Sequence, residues 1–283
     1  MTHSRPGRTV EAHALRVENG NARETAELIA TEEPLEMRLN AGSQSRRLGV
    51  TMRTPGNDLE LAAGYVFSEG IVRSREELDE ITYCLDDDIT EEQQYNVVSI
   101  RLRSSAMPEI GGLERRVVTS SACGVCGREN IEALLERCAP VLSDLTVDAA
   151  FVGALPDRMR GAQRIFEATG GLHAAAIFDR DANVRVVRED VGRHNALDKA
   201  VGWGLMQGVL PFQDCVAMVS GRASFELVQK CAAAGIPVLC AVSAPSSLAV
   251  QTADALGITL IGFVREGRST VYSHRERFHI LLP

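Results

Sequence analysis

The stretch CVAMVSGRASFELVQKCAAAGIPVLCAVSAPSSLAVQTADALGITLIGFV, residues 215–264, decides the fold class. It contains three short, continuously apolar runs of the kind that forms strands buried on both faces: CVAMVS, VLCAVS and ITLIGFV. Helical patterns separate these runs, and glycines at 235 and 257 end the two helices. Strand–helix alternation with short connections predicts a three-layer α/β sandwich with parallel central strands.

The pattern continues upstream of this stretch. HAAAIFD (173–179) and VRVVRED (184–190) are strand-like runs, and the turn-forming RDAN between them predicts a hairpin. GRHNALDKAVGWGLMQG (192–208) carries an apolar stripe at helical spacing and predicts a helix. Residues 116–283 are therefore predicted to form one α/β domain.

The preceding residues are predicted to form a smaller α+β domain, over 26–115. PLEMRLN, GVTMRT and YNVVSIRLRS indicate strands, and a Pro-Gly-Asn turn at 55–57 precedes a predicted helix capped by Asn57 or Asp58. Residues 1–25 are polar and weakly patterned, so they are predicted to be a loose tail.

Composition excludes several classes of protein. The net charge of −8 argues against non-specific nucleic-acid binding, which needs a basic face. No apolar run approaches the ~20 residues of a membrane-spanning helix, and the amino terminus lacks the apolar core of a secretory signal, so a cytoplasmic protein is expected. Seven scattered cysteines, an odd number, do not form a secreted disulfide framework.

Two of these cysteines, Cys123 and Cys126, lie in the glycine-rich segment SSACGVCGREN, residues 120–130. The following residues, ending at Cys138, place apolar side chains at i, i+3, i+4 and i+7, which predicts an amphipathic helix with Cys138 on its buried face. Backbone N–H groups at a helix start lower the pKa of a nearby thiol and favour the nucleophilic thiolate.

A C-x₂-C pair alone fits three kinds of site. A structural zinc site needs two further ligands, and no second C-x₂-C or His-x₃₋₅-His follows. A thioredoxin-like disulfide would follow the first strand of its fold, whereas this pair precedes the main alternation. The third kind is a nucleophile on a loop that accepts an atom and hands it on. The pair itself does not separate them.

Longer blocks of sequence supply the context. The chain resembles the formate dehydrogenase accessory sulfurtransferase family, known as FdhD, from about residue 30 to the end. The blocks that carry the resemblance are TPGNDLELAAGYVFSEGIV, SSACGVCG, REDVGRHNALDKAVG, SGRASFELVQKCAAAGIPVLCAVSAPSSLAV and GFVREGRSTVYS.

The resemblance implies a fold similar to that of cytidine deaminases with a smaller domain attached, in a homodimer. It implies a sulfurtransferase that accepts persulfide sulfur from a cysteine desulfurase. The sulfur goes to the molybdenum of the bis-molybdopterin guanine dinucleotide cofactor (Mo-bis-MGD), which the catalytic subunit of formate dehydrogenase needs. No structural metal is expected. Zinc deaminases carry a catalytic glutamate in an H-x-E motif, and this sequence contains neither H-A-E nor H-P-E.

The resemblance also implies the site residues. Cys123 carries the persulfide, and Cys126 is the second catalytic candidate, as a relay or resolving thiol. Glu266 departs from the family, whose members often have a non-acidic residue there. The cofactor-binding segment falls on Phe263, Val264, Arg265, Glu266, Gly267 and Arg268.

The residues themselves point to the same end of the sheet. Arg265 and Arg268 can bind phosphate with paired hydrogen bonds, although without the family resemblance a solvated turn between two strands is the favoured interpretation. Ligands of open α/β sheets gather at the carboxyl ends of strands. Three sets of residues are candidates for this ligand end of the sheet. They are the turn residues Gly170 and Gly171 with the adjacent His173; the polar side chains of DVGRHNALDK (190–199); and the loop residues Ser220, Gly221, Arg222, Ser243 and Ser246. Two alternatives remain open: a cofactor-binding chaperone for formate dehydrogenase without sulfur transfer, and a zinc-dependent deaminase.

Overall fold

The computed structural model describes residues 7–84, 90, 94–109 and 138–280. The chain begins with an antiparallel hairpin of β1 (Thr9–Glu18) and β2 (Asn21–Ala30). Asn19 and Gly20 form its two-residue turn, with left-handed φ values of 52° and 81°, the backbone that Asn-Gly favours in a tight hairpin. The prediction of a loose tail is therefore wrong for the residues from Thr9 onward.

The smaller sheet consists of β3 (Glu33–Ala41), β4 (Gln44–Arg53), β5 (Leu78–Tyr83) and β6 (Val97–Leu102). The strand order is β4–β3–β6–β5, with β3 parallel to β6 and the other pairs antiparallel. Helix α1 (Asp58–Ser68) covers this sheet. This helix and three of the strands occur where the sequence predicted them, whereas β5 was not predicted. Asn57 is the N-cap residue in a left-handed conformation, without a capping side-chain bond.

The remaining elements belong to the larger α/β part. They are β7 (Val147–Asp148), α2 (Ala149–Arg160), α3 (Arg164–Thr169), β8 (His173–Phe178), β9 (Val184–Asp190), α4 (Arg193–Gln207), β10 (Val216–Val219), α5 (Phe225–Ala233), β11 (Val238–Ala241), α6 (Ser247–Ala255), β12 (Thr259–Arg265), β13 (Arg268–Val271) and β14 (Phe278–His279). Six of the strands form one sheet in the order β13–β12–β11–β10–β8–β9.

The larger sheet is mixed, with helices on both faces. β10, β11 and β12 run parallel, as predicted, and β8 pairs with β9 in the predicted hairpin. Side chains of α4, α5 and α6 pack with one set of strand residues, and those of α2 pack with the alternate set. This confirms a mixed α/β architecture, while the likeness to cytidine deaminases stays a prediction. The predicted boundary at residue 116 lies outside the described residues.

Helices α1 and α4 cross at the junction of the two sheets, closer than side chains would permit. A Cβ at Gly64 would lie 1.9 Å from the carbonyl oxygen of Asp198, and one at Gly202 would lie 1.8 Å from that of Glu60. Leu205 of α4 contributes to the core of the smaller sheet. The crossing fixes the end of β9 and the start of α4 against the smaller sheet. In the described part of the chain, no helix has the length and apolarity needed to traverse a bilayer.

Candidate functional site

A cavity of about 680 Å³ opens at the carboxyl ends of the parallel strands of the larger sheet. Its floor includes Ser220 after β10, Val242 after β11 and Val264 near the end of β12. One wall comes from α2, α3 and the residues between them, and the rim includes Gly170 and Gly171. Crevices at this edge of α/β sheets are where ligands bind, and this volume is in the range of small-molecule sites.

The segment predicted to bind the cofactor passes along this cavity. Val264, Arg265 and Glu266 line it. Phe263 has a left-handed φ of 53°, and the pairing of β12 with β13 shifts register between Gly262 and Arg265. Such a bulge bends a strand and re-aims its side chains. The bulge therefore lies directly before Arg265 and Glu266, the residues that line the cavity.

The other three predicted cofactor residues lie beside the cavity wall. Gly267 completes the turn from β12 to β13 with a φ of 67°. The guanidinium carbon of Arg268 lies 6.0 Å from the centre of the Phe263 ring, at the outer limit of a cation–π contact. The backbone N–H of Phe263 donates to the carbonyl of Ser243 at 3.2 Å, which ties the segment to the loop after β11.

His173 and Ser220 meet on the cavity floor. The Nδ1 atom of His173 lies 3.4 Å from Oγ of Ser220, and this Oγ accepts a hydrogen bond from the backbone N–H of Ala174 at 2.9 Å. Burial lowers the pKa of His173, and the positive charges of Arg193 and His194 lower it further, against the opposing effect of Asp190. The lowered pKa favours the neutral imidazole, which can both donate and accept a hydrogen bond.

Sequence reasoning missed the cavity wall formed by α2, α3 and the residues between them, which includes Arg160, Gln163 and Phe166. The guanidinium carbon of Arg160 lies 4.2 Å from the centre of the Phe166 ring, a close cation–π contact. Gln163 is a polar residue with only 3% of its surface exposed. These residues follow no motif, and the only signal was the basic run RMRGAQR (158–164) ahead of TGG (169–171).

Three polar side chains of DVGRHNALDK connect the two sheets: those of Asp190, Asn195 and Lys199. Asp190 forms a buried ion pair of 2.6 Å with Lys199, and it accepts hydrogen bonds from the backbone N–H of Thr54 at 3.1 Å and the side chain of Asn195 at 3.0 Å. Lys199 also donates to the carbonyl of Thr54 at 2.9 Å. These groups are satisfied within the protein, across the junction with β4.

His194 joins the starts of two helices. Its Nε2 atom lies 3.0 Å from Oγ of Ser224 and 2.9 Å from a carboxylate oxygen of Glu226. The hydrogen bond from His194 lowers the pKa of Glu226 more than burial raises it. His194 therefore has a structural position between α4 and α5.

The loops after β10 and β11 are held together at the same edge. Ala223 and Pro245 form an isolated parallel bridge, and Ser246 caps α6 by accepting a hydrogen bond from the N–H of Ala249 at 3.2 Å. Of the five candidates in these loops, Ser220 lines the cavity. The other four, which are Gly221, Arg222, Ser243 and Ser246, do not belong to its lining.

Cys123 and Cys126, the two catalytic candidates, lie outside the described residues. Cys215, Cys231 and Cys240 are buried in the two cores of the larger domain, and burial raises the pKa of each thiol. A buried thiol with a raised pKa is inert as a nucleophile, which agrees with the prediction that these three are core residues. No group of three potential metal ligands was found among the residues the structure describes.

Comparisons with known proteins give one consistent relationship. The model of the FdhD/NarQ family matches residues 30–279. The sulfur carrier protein FdhD of Mycolicibacterium paratuberculosis is 47% identical over 261 residues, which span 91% of this chain and 94% of that protein. The protein of the same name from Thermoplasma volcanium is 41% identical and covers 91% of both chains.

A solved structure has the same fold. It is the crystal structure of a protein from Desulfotalea psychrophila, assigned as a formate dehydrogenase accessory protein. The superposition gives a TM-score of 0.74 at 25% identity and covers 96% of this chain and 100% of the other. The family match over most of the chain, the relatives above 40% identity and the shared fold agree, so the chain belongs to the FdhD/NarQ family.

Proposed function

We propose that this chain is a sulfur carrier for the maturation of formate dehydrogenase. Cys123 takes sulfur from a cysteine desulfurase as a persulfide and delivers it to Mo-bis-MGD, held at the cavity beside Arg265. The observation that carries the proposal is the 47% identity, over 91% of the chain, to a protein named sulfur carrier protein FdhD. A homodimer and a cytoplasmic location belong to the same proposal.

The loading step is a thiol exchange that needs no oxidant. The Cys123 thiolate attacks the terminal, sulfane sulfur of the desulfurase persulfide, a new S–S bond forms at Cys123, and the desulfurase cysteine leaves as a thiolate. The sulfane sulfur keeps its oxidation state. Gly124 and Gly127, which follow Cys123 and Cys126 in the sequence, leave room for the partner's persulfide to approach.

The cavity supports the cofactor half of the proposal. It lies at the sheet edge where ligands of α/β folds bind, and Arg265 and Arg160 supply cationic side chains in a chain of net charge −8. Arginine binds phosphate with paired hydrogen bonds. A diphosphate of the cofactor therefore has suitable partners in this wall.

Mass spectrometry of the full chain tests the proposal. After incubation with cysteine and a cysteine desulfurase, followed by alkylation and digestion, we expect one added sulfur on the peptide that contains Cys123. The buried Cys215, Cys231 and Cys240 provide internal controls, whose peptides should gain none. Cys123→Ala should abolish the adduct, and Cys126→Ala shows whether the second thiol is needed for loading.

A maturation assay separates the sulfur carrier from the chaperone alternative. We expect Cys123→Ala protein to fold, yet to leave formate dehydrogenase inactive when it replaces the unaltered chain. Full activation by that variant, together with no sulfur on Cys123 of the unaltered chain, would contradict the carrier and favour a chaperone that binds the cofactor only.

A further inference from the structure

An exposed apolar surface lies on the hairpin of β1 and β2. Neither strand contains a buried residue. Among the described residues, ten large hydrophobic side chains are exposed, and five of them belong to this hairpin: Val10, Leu15, Val17, Leu28 and Ile29. Single exposed apolar residues are ordinary, whereas a concentration of them marks an interaction surface.

The two faces of the hairpin differ in chemistry. Residues that lie directly opposite each other in the ladder share a face, and so do alternate residues along a strand. One face carries Arg16 and Glu27, which form an ion pair. The other face carries Leu15 and Val17, 64% and 63% exposed, together with Leu28. We call this second face the apolar face, and its apolar residues are Leu15, Val17, Ala22, Ala26 and Leu28.

Two carboxylates border the apolar face. Glu11 and Glu24 lie on it, each directly opposite a leucine, and both are exposed. Neither carboxylate forms an ion pair with a described residue. Arg16 and Arg23 point to the other face, so the one basic group of the two strands on the apolar face is the imidazole of His13. An apolar centre with a charged rim is the anatomy of a protein–protein interface, and this rim is acidic.

The hairpin leaves the domain beside the cavity. β2 packs on α3, which belongs to one wall of that cavity. A Cβ at Gly171, on the cavity rim, would lie 4.0 Å from the Cβ of Ala30 at the end of β2. A protein that takes a ligand from the cavity has to approach this rim, so the hairpin stands next to its route.

A second copy of this chain is a poor occupant of the apolar face. Two-fold association brings the same patch of both copies together, so Glu11 and Glu24 of each copy would surround one contact, with no arginine or lysine from this face to offset them. The chain already carries a net charge of −8, and like charges placed across an interface cost free energy. A partner with a basic rim turns the same carboxylates into favourable contacts.

We propose that the apolar face docks the cofactor-free formate dehydrogenase that receives the cargo, through an apolar patch of that enzyme bordered by lysine or arginine. The proposal rests on the proposed function, because it names the surface that holds the recipient beside the cavity. The hairpin then takes no part in the loading of sulfur on Cys123, so docking and loading are measured separately.

Binding of the full chain to immobilised, cofactor-free formate dehydrogenase tests the apolar part of the surface. The double variant Leu15→Ser with Val17→Ser removes apolar contact area, and we expect it to raise the Kd about tenfold or more. Leu142→Ser with Val184→Ser is the matched control. It makes the same two changes at residues exposed outside the hairpin, 83% and 41%, and it should bind as the unaltered chain does.

A second double variant, Glu11→Gln with Glu24→Gln, tests the acidic rim. Because rim charges act mainly on the association rate, we expect slower association with the enzyme and the loss of most of its dependence on salt. Glu80→Gln with Glu109→Gln removes the same charge at exposed residues outside the hairpin and should leave both unchanged. All four double variants replace exposed side chains, so each should keep the Tm of the unaltered chain.

Four results would overturn the proposal. They are an equal Kd for the two serine variants, no binding of the unaltered chain to the enzyme, dissociation of a dimer into monomers in Leu15→Ser with Val17→Ser, and loss of the sulfur adduct in that variant while enzyme binding is unchanged. Light scattering detects the third result, which assigns the face to a second copy. The fourth assigns it to the sulfur donor.

The sulfur adduct separates this proposal from the proposed function. An unaltered chain that gains no sulfur on Cys123 contradicts the proposed function. A normal adduct, together with unaltered enzyme binding in both hairpin variants, contradicts only the docking surface.

Discussion

Arg53 and Arg265 are the same residue type in opposite surroundings. Arg53 is fully buried and bonds to the carboxylate of Asp58 at 3.1 Å, to the carbonyl of Tyr95 at 3.0 Å and to the side chain of Asn96 at 3.0 Å. Arg265 is exposed at the cavity. A buried cation that is hydrogen-bonded inside the protein stabilises the fold, whereas an exposed cation at a cavity remains available to an anion.

Truncation of Arg53 should destabilise the chain strongly. Arg53→Ala leaves the carboxylate of Asp58, itself 1% exposed, without its cation, and removal of one partner of a buried pair costs about 3–5 kcal/mol. Urea denaturation measures the loss. Arg101→Ala is the control, because its pair with Glu80 is 3.8 Å long and more than half exposed on each side, so we expect a change within about 1 kcal/mol. Equal losses in both variants would contradict this.

His173 should make stability depend on pH in the acid range. Burial and the charges of Arg193 and His194 lower its pKa in the folded chain below the ordinary 6.5, so between these two pKa values the unfolded chain binds more protons. Stability therefore falls as the pH drops below about 6.5 and is unaffected by this group above it. We expect His173→Gln to lose less stability than the unaltered chain between pH 7.5 and 5.5, measured by Tm at each pH. His13→Gln, at an exposed histidine on β1, should behave like the unaltered chain.

Among the elements, the crossing of α1 and α4 depends on two glycines. At Gly202 an added Cβ would lie 1.8 Å from the carbonyl of Glu60 and 2.6 Å from the backbone nitrogen of Gly64. The obstacles are backbone atoms, so a side chain cannot rotate away to relieve the clash. The helices would have to separate, with the loss of packing along the crossing.

Gly202→Ala should therefore destabilise the chain although alanine favours helices. Overpacking typically costs about 1–3 kcal/mol, which exceeds the roughly 1 kcal/mol that alanine gains over glycine in a helix. Gly153→Ala on α2 is the control, because its Cβ would meet atoms no closer than 3.7 Å; it should be neutral or stabilising. The midpoints of urea unfolding compare the two, and a neutral Gly202→Ala would refute the close crossing.

The elements also show what the sequence can and cannot predict. β10, β11 and β12 are continuous apolar runs, and burial on both faces leaves that mark in any chain. The hairpin of β1 and β2 is hard to predict because it buries little of either face, so no buried apolar face marks its strands. Apolar residues such as Val10, Leu15 and Val17 alternate with polar ones and stay exposed, and Asn19-Gly20 signals the turn. The polar run 190–199 suggests a ligand site in the sequence, because Thr54, the partner of Asp190 and Lys199, is distant along the chain and only the fold brings these residues together.

The sequence likewise predicts only a part of the candidate site. Arg265 came from a long block that resembles a family, and the structure places it at a cavity. Arg160 and Phe166 lie on elements without a motif, and they become candidates only because the fold places them together in the wall of the cavity. Residue type and spacing carry no information on which side chains line a cavity, so this part of the site requires the three-dimensional structure.

In the whole molecule, the two sheets share a helix and a buried polar network. Leu205 of α4 lies in the core of the smaller sheet, while Ala196 and Leu197 of the same helix pack against the larger one. Asp190 and Lys199 bond to both sides of the junction. Separation of the sheets would expose apolar surface and leave the network unpaired.

The two sheets should therefore unfold in a single transition. Hydrogen exchange followed by mass spectrometry at increasing urea concentration measures the stability of each strand. We expect the most protected amides of β3 and β6 to exchange through the same global opening as those of β10 and β11, with one shared dependence on urea. The stacked pair of Trp203 and Phe212, with ring centres 6.5 Å apart, gives a fluorescence signal that should change at the same urea concentration as the far-ultraviolet circular dichroism. Exchange of β3 and β6 at clearly lower urea, before Trp203 responds, would show that the smaller sheet opens by itself and that the junction does not couple the two.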